Sequence, residues 1–174
     1  LYQHMLEEAV AELKGEEDIV DTGWSPQITV GTPVMIPEDY VPDLNLRMSL
    51  YRRLGDITDI SDIDGFGAEM IDRFGPLPKE VEHLLKIVYI KSLCRKANVE
   101  KVDAGPKGVV IQFRNGDFPH PAGLVQYIAG QGSLVKVRPD QSIFLSRDLP
   151  TGEKRLVGAA VVMTKIAEIA EAAS

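Results

Sequence analysis

The chain has 174 residues, 44% of them hydrophobic and 26% charged, with a formal net charge of −7. That composition belongs to an ordinary soluble domain; no window is apolar for long enough to cross a bilayer, and the start lacks the charged-then-apolar pattern of a signal peptide. A single cysteine, Cys94, excludes an internal disulfide and fits a reducing cytoplasm, the compartment expected for this chain.

The charge is unevenly spread. From Leu1 to Asp72, 16 acids stand against 4 bases, whereas from Arg73 to Ser174 there are 10 acids and 15 bases. Phosphate contacts need lysine and arginine, so the acidic front half disfavours direct nucleic-acid binding. It favours a basic protein surface, or serves only to keep the chain soluble.

Leu1 to Lys14 carries Leu6, Val10 and Leu13 on one face, with Glu7, Glu8 and Glu12 elsewhere, and predicts an amphipathic helix. It begins without a cap, as if continuing from upstream. Gly15 to Pro26 is acidic and turn-rich and predicts a linker. Gln27 to Ile36 alternates as a strand, confined to an edge or broken by Pro33. Asp43 is placed to cap a helix from Leu44 to Leu54. Arg47, Arg52 and Arg53 are the only bases between Glu38 and Asp72 and are expected to pair locally with the nine acids there.

The most specific stretch runs from Asp59 to Asn98. It predicts two helices joined at Gly75-Pro76-Leu77-Pro78. In the first, Ile60, Ile63, Gly67, Met70, Ile71 and Phe74 share a core-facing side, and Asp62, Glu69 and Asp72 lie opposite. Gly65 and Gly67 cost about 1 kcal/mol each in a helix interior, which predicts a frayed start. Gly75 suits the residue just past a helix end, and Pro78 suits a new first turn. The second helix is apolar around most of its circumference, from Val81 to Ala97, and is expected to be central.

Beyond Asn98 the period changes. Val99–Ala104 and Val109–Phe113 predict a hairpin, Pro119 or Pro121 to about Ala129 a helix, and Leu134–Arg138 with Ser142–Leu145 a second hairpin. A last helix runs from Thr151 or Gly152 through Ala172. The fold class expected is α+β: a helical N-terminal half packed with a small, mostly antiparallel sheet of two hairpins alternating with helices.

Catalytic signatures are missing from this pattern. His4, His83 and His120 have no metal-ligand spacing with one another or with Cys94. There is no nucleophile elbow and no phosphate-binding loop, and Asp64-Gly65-Phe66-Gly67 follows no strand. Asp62, Glu69 and Asp72 remain: a solvated helix face, a contact surface for arginines on another domain, or, least in keeping with a face turned from the core, a metal-dependent hydrolase site. The basic back half, including Lys91, Arg95, Lys96 and Lys101, offers a nucleic-acid alternative.

Four ordered motifs carry a resemblance: Leu1-Tyr2-x-x-Met5-Leu6-Glu7-Glu8-Ala9-Val10, Ile36-Pro37-x-x-Tyr40-Val41-Pro42-Asp43, Arg47-x-x-x-Tyr51-Arg52-Arg53-Leu54 and Glu69-Met70-Ile71-Asp72-Arg73-Phe74-Gly75-Pro76-Leu77-Pro78. Together they resemble the C-terminal domain of the bacterial transcription-repair coupling factors, the TRCF domain. The resemblance implies a parent that is an ATP-driven DNA translocase, using ATP and magnesium, which displaces stalled RNA polymerase and recruits UvrA for excision repair. It implies that this domain is not an enzyme and holds no cofactor. Instead it docks on the parent's own UvrB-like N-terminal module, covers the surface needed for UvrA and represses the motor. Residues 1–26 would then be a connecting helix and acidic linker from the translocase, and residues 27–174 a single α+β regulatory domain. Glu69 and Asp72 are carried over as the carboxylates that face basic residues of that module, with Asp62 and Arg73 beside them in the contact.

Overall fold

A computed structural model describes residues 24–172 of the chain. The helix expected over Leu1–Lys14 and the linker from Gly15 to Gly23 lie outside the described residues. The others form five helices and five strands: β1 (Gln27–Thr29), α1 (Leu44–Gly55), α2 (Ile60–Phe74), α3 (Lys79–Ala97), β2 (Val99–Gly105), β3 (Gly108–Phe113), α4 (Pro121–Gly130), β4 (Val135–Val137), β5 (Ile143–Ser146) and α5 (Gly152–Glu171). The fold is α+β.

Helix starts follow local chemistry. The Asp43 side chain accepts from Leu46 N at 3.1 Å, and that of Asp59 accepts from Ser61 N at 3.0 Å. Thr151 Oγ1 accepts from Lys154 N at 3.1 Å, so three of these helices open on an oxygen cap for an otherwise unpaired amide. Gly75 stops α2 at φ +96°, its N–H donating to Ile71 O at 2.9 Å. A positive φ is what a side chain resists and glycine permits. Pro78 stands one residue earlier than a first helical residue: its carbonyl accepts from the amides of Val81 and Glu82, so it serves as the cap of α3. Asn98 leaves α3 at φ +56° and donates through Nδ2 to the carbonyls of Arg114 and Asp117.

The chain packs as two compact units, one built on Pro33–Tyr89, the other on Pro26–Thr32 and the chain from Ile90 onward. Helix α3 contributes to both, and it is buried along most of its length, from Val81 to Ala97. In the first unit, Ile36, Val41, Leu50, Tyr51, Leu54, Phe66, Met70 and Leu84 form the core. Burial of this kind is what holds such a unit together, at about 25 cal/mol per Å² of apolar surface. Arg47 is fully buried here as well; its Nη1 donates to Val41 O at 2.6 Å and Pro42 O at 3.3 Å.

The second unit holds the sheet, in the order β1-β2-β3-β5-β4. The two hairpins, β2–β3 and β4–β5, are antiparallel and are joined through β3 and β5. Strand β1 pairs in parallel with β2, from Gln27 opposite Lys101 to Thr29 opposite Asp103, and it is much shorter than the Gln27–Ile36 alternation suggested. Pro33 lies beyond its end, as a residue without an N–H must. Helix α5 packs on β2 and β3, and α4 packs on α5.

Two expectations about α2 need correction. Ile71, assigned to the core face, is 50% exposed, and Phe66, left out of that face, is buried at 3%. The helix is also regular from Ile60 onward despite Gly65 and Gly67. A Cβ at Gly67 would lie 3.3 Å from Leu85 Cδ1, so α3 approaches α2 closely at this glycine.

Candidate functional site

The acidic face of α2 is held in place by a pair of tyrosines. Its C-terminal end is pinned by Tyr40, whose hydroxyl lies 3.1 Å from Met70 O and 2.8 Å from Gly75 O and donates toward both. The Tyr40 ring meets Phe74 edge-on at 5.7 Å between centroids. The loop carrying Tyr40 is fixed in turn by Tyr51, whose hydroxyl accepts from the buried Ile36 amide at 2.7 Å. Burial pushes both phenols above their ordinary range. The Tyr40, Arg47 and Tyr51 positions of the sequence motifs are therefore supports for the end of α2.

Glu69 is the centre of the face. Its Oε2 accepts from Arg53 Nη1 at 2.7 Å and from Arg73 Nη1 at 2.9 Å, and its Oε1 accepts from Arg53 Nη2 at 2.8 Å. Each guanidinium also lies over a ring, Arg53 over Phe66 at 5.1 Å and Arg73 over Phe74 at 5.0 Å. Fork-shaped, charge-assisted bonds of this kind fix orientation as well as adding attraction. The bonds from Arg53, then those from Arg73, hold the Glu69 carboxyl down at about 2. Arg53, through its bond to Glu69, is held above its usual range. The local pairing expected of Arg53 is present, with its partner 16 residues away.

Asp62, Asp72 and Arg73 are exposed, while Glu69 retains 35% side-chain exposure. Of the four candidate residues, the geometry joins Glu69 to Arg73 and leaves Asp62 and Asp72 facing outward on the same helix. Glu69 is thus a shared acceptor for two arginines more than an open carboxylate. Spacing shows the i,i+4 pair with Arg73 but not the longer reach of Arg53.

The other chemistries lack a matching arrangement. Among the described residues no group of three or more His, Cys, Asp or Glu side chains is placed to hold a metal ion. His120 Nδ1 is 3.1 Å from Ile169 O, and His83 Nδ1 is 3.4 Å from Pro33 O. Of the bases considered for nucleic acid, Lys91 is buried and Lys96 pairs with Glu171 at 3.3 Å, so they do not form one open basic face. Among the described residues no helix is long and apolar enough to cross a membrane.

Residues 30–124 match the family model described as the TRCF domain. A transcription-repair-coupling factor of Rickettsia prowazekii (strain Madrid E) is 39% identical over 150 residues, which cover 86% of this chain and 13% of the relative. That of Escherichia coli (strain K12) is 29% identical over 159 residues, 90% of this chain and 14% of the relative. The chain therefore spans a small fraction of the length of these relatives. A crystal structure of the C-terminal domain of a transcription-repair coupling factor superposes with a TM-score of 0.67 at 19% identity, covering 86% of this chain and 96% of the other, a likeness of fold. The chain belongs to the TRCF domain family, the domain carried by transcription-repair-coupling factors.

Proposed function

We propose that this domain is a regulatory docking domain with no reaction of its own, within a parent that is an ATP-driven DNA translocase of transcription-coupled repair. It docks on the parent's UvrB-like N-terminal module, masks the surface that module offers to UvrA, and gives it up when the parent is bound to stalled RNA polymerase. The observation that carries this reading is the outward acidic face of α2, with Asp62 and Asp72 exposed on either side of the Glu69 clamp. Such a face presents its carboxylates to solvent. It suits arginines on a flat partner, where charge-assisted contacts give register and on-rate.

A lock that has to open works best when it is weak between separate parts. Tethering in one chain supplies an effective concentration of roughly millimolar, so modest affinity closes it. A competing state then needs an advantage of only a few kcal/mol to open it. ATP and magnesium belong to the motor of the parent and not to this domain.

The test is a titration of this chain against the UvrB-like module at low and at physiological ionic strength. Asp62→Arg with Asp72→Arg is expected to leave the fold intact and to abolish salt-sensitive binding. Unchanged affinity at both ionic strengths would count decisively against the docking role.

A further inference from the structure

Beside the acidic face, α2 and α3 enclose a groove of about 570 Å³ within the first unit. Its walls are Ile60, Ile63 and Ile71 from α2 and Leu85 and Tyr89 from α3, with Leu77 of the corner at one end. Two features shape it. Ile71, in the last turn of α2, is half exposed at its edge. Gly67 and Ala68 are the smallest residues on that side of α2 and keep the groove deep; any side chain at Gly67 would press on Leu85.

The groove has the length and spacing of a helix site. Its α2 wall runs from Ile60 to Ile71, about 16 Å at 1.5 Å per residue, with lining positions repeating every three or four residues. A partner helix meets such a trough with apolar residues at i, i+3, i+4 and i+7. The charge of the partner follows from the rim. Asp64 and Glu82 line the groove against the single base Lys86. Elsewhere on this surface Glu69 pairs with both Arg53 and Arg73.

We infer that the α2–α3 groove is a binding site for an amphipathic helix of a partner protein, one whose apolar stripe is flanked by lysine or arginine. This goes beyond the docking contact of Asp62 and Asp72 and does not depend on it. The chain's own Leu6-Val10-Leu13 stripe is a poor occupant, because Glu7, Glu8 and Glu12 would meet Asp64 and Glu82.

The experiment uses the full chain and two labelled synthetic peptides sharing one leucine stripe, one flanked by lysines and one by glutamates. The lysine peptide is expected to bind and to shift the methyl NMR signals of Ile63, Ile71 and Leu85. Ile71→Asn should weaken it about tenfold, and Asp64→Asn with Glu82→Gln should weaken it as much and flatten its salt dependence. Neither change touches the core, so folding is retained and checked by the unshifted core methyls. Equal binding of the glutamate peptide would overturn the proposal. So would shifts confined to other surfaces with Ile71→Asn unaffected. If Leu6→Glu raised the affinity for the lysine peptide, the chain's own N-terminal segment would be the occupant and the partner assignment would fall.

Discussion

Arg53 of α1 grips Glu69 of α2 with both terminal nitrogens, at 2.7 and 2.8 Å, across 16 residues of sequence. The pair ties α1 to the face that carries the candidate docking residues, and Arg73 completes it from the same helix as Glu69. Both arginines and the carboxylate are partly exposed, so solvent screens the attraction. Bidentate geometry places this pair at the upper end of what exposed pairs contribute, about 0.5–1 kcal/mol. A double-mutant cycle of Arg53→Ala and Glu69→Ala, read by urea unfolding, should return a coupling of that size.

The pH dependence has a defined sign. Glu69 titrates at about 2 in the folded chain against an ordinary value of 4.5. A carboxyl held down in this way adds stability that is fully present above the unfolded value and is lost as pH falls through the folded one. The Arg53–Glu69 coupling should therefore be constant from neutral pH down to the unfolded carboxyl's range, and should decline progressively from there until it is lost below about 2. An NMR titration of the Glu69 carboxyl carbon measures this directly; a midpoint in the ordinary glutamate range would mean the clamp is open in solution.

The clamp also changes what mutation of Glu69 should do to docking. Removing the carboxylate leaves two guanidiniums, Arg53 of α1 and Arg73 of α2, without their shared counter-charge, and a basic partner meets repulsion as well as lost attraction. Glu69→Ala is expected to weaken docking about tenfold, and adding Arg53→Ala should recover part of that loss. If Glu69 instead contacted the partner directly, the second substitution would recover nothing. Affinities of the two variants and the parent sequence, measured at one low ionic strength, decide between these outcomes.

The hydroxyls that support α2 give larger effects. Tyr51→Phe leaves the buried Ile36 amide without its 2.7 Å acceptor, and an unsatisfied buried donor costs about 1–3 kcal/mol. Tyr40→Phe removes a donor shared between Met70 O and Gly75 O, a partly buried arrangement, and should cost about 1 kcal/mol. Both appear as shifts in the urea midpoint with an unchanged slope. Only Tyr40→Phe should also weaken docking, because only Tyr40 bonds to α2 itself.

How much of this was legible beforehand depended on the range of the interaction. Caps and stops are local, so the Asp43 cap, the Gly75 stop and the largely apolar run of α3 could be read from neighbours a few positions away. The hairpins are nearly local and appear where the turn residues stand. What spacing could not supply was tertiary. The exchange of Ile71 for Phe66 on the core side depends on where α1 and α3 lie around α2, and a helical wheel divides only one helix. Phe66 is buried with Arg53 across its ring, and Ile71 stands at the mouth of a groove that exists only once α3 is folded back. The parallel pairing of β1 with β2 joins segments more than 70 residues apart and has no turn to announce it. The candidate face itself was legible as acid opposite core; its internal neutralisation by Arg53 was not.

Cys94 provides a probe of the second unit that is independent of docking. It is fully buried in α3, and burial pushes its thiol up to about 12 despite the lowering influence of Arg95 and Lys91. The reactive species is the thiolate, so in the folded chain at neutral pH it is both scarce and inaccessible. A disulfide-exchange reagent should therefore modify Cys94 only through opening of the unit, at a rate proportional to the open population. The pH profile separates the two routes. Labelling through an opened state should level off near the ordinary thiol value of about 8.5, whereas reaction in the folded state would keep rising toward about 12. Sub-denaturing urea should accelerate the first route with the slope of a local or global opening and leave the second nearly unchanged. Rapid labelling of the native chain at neutral pH would show that α3 is not packed as described at Cys94.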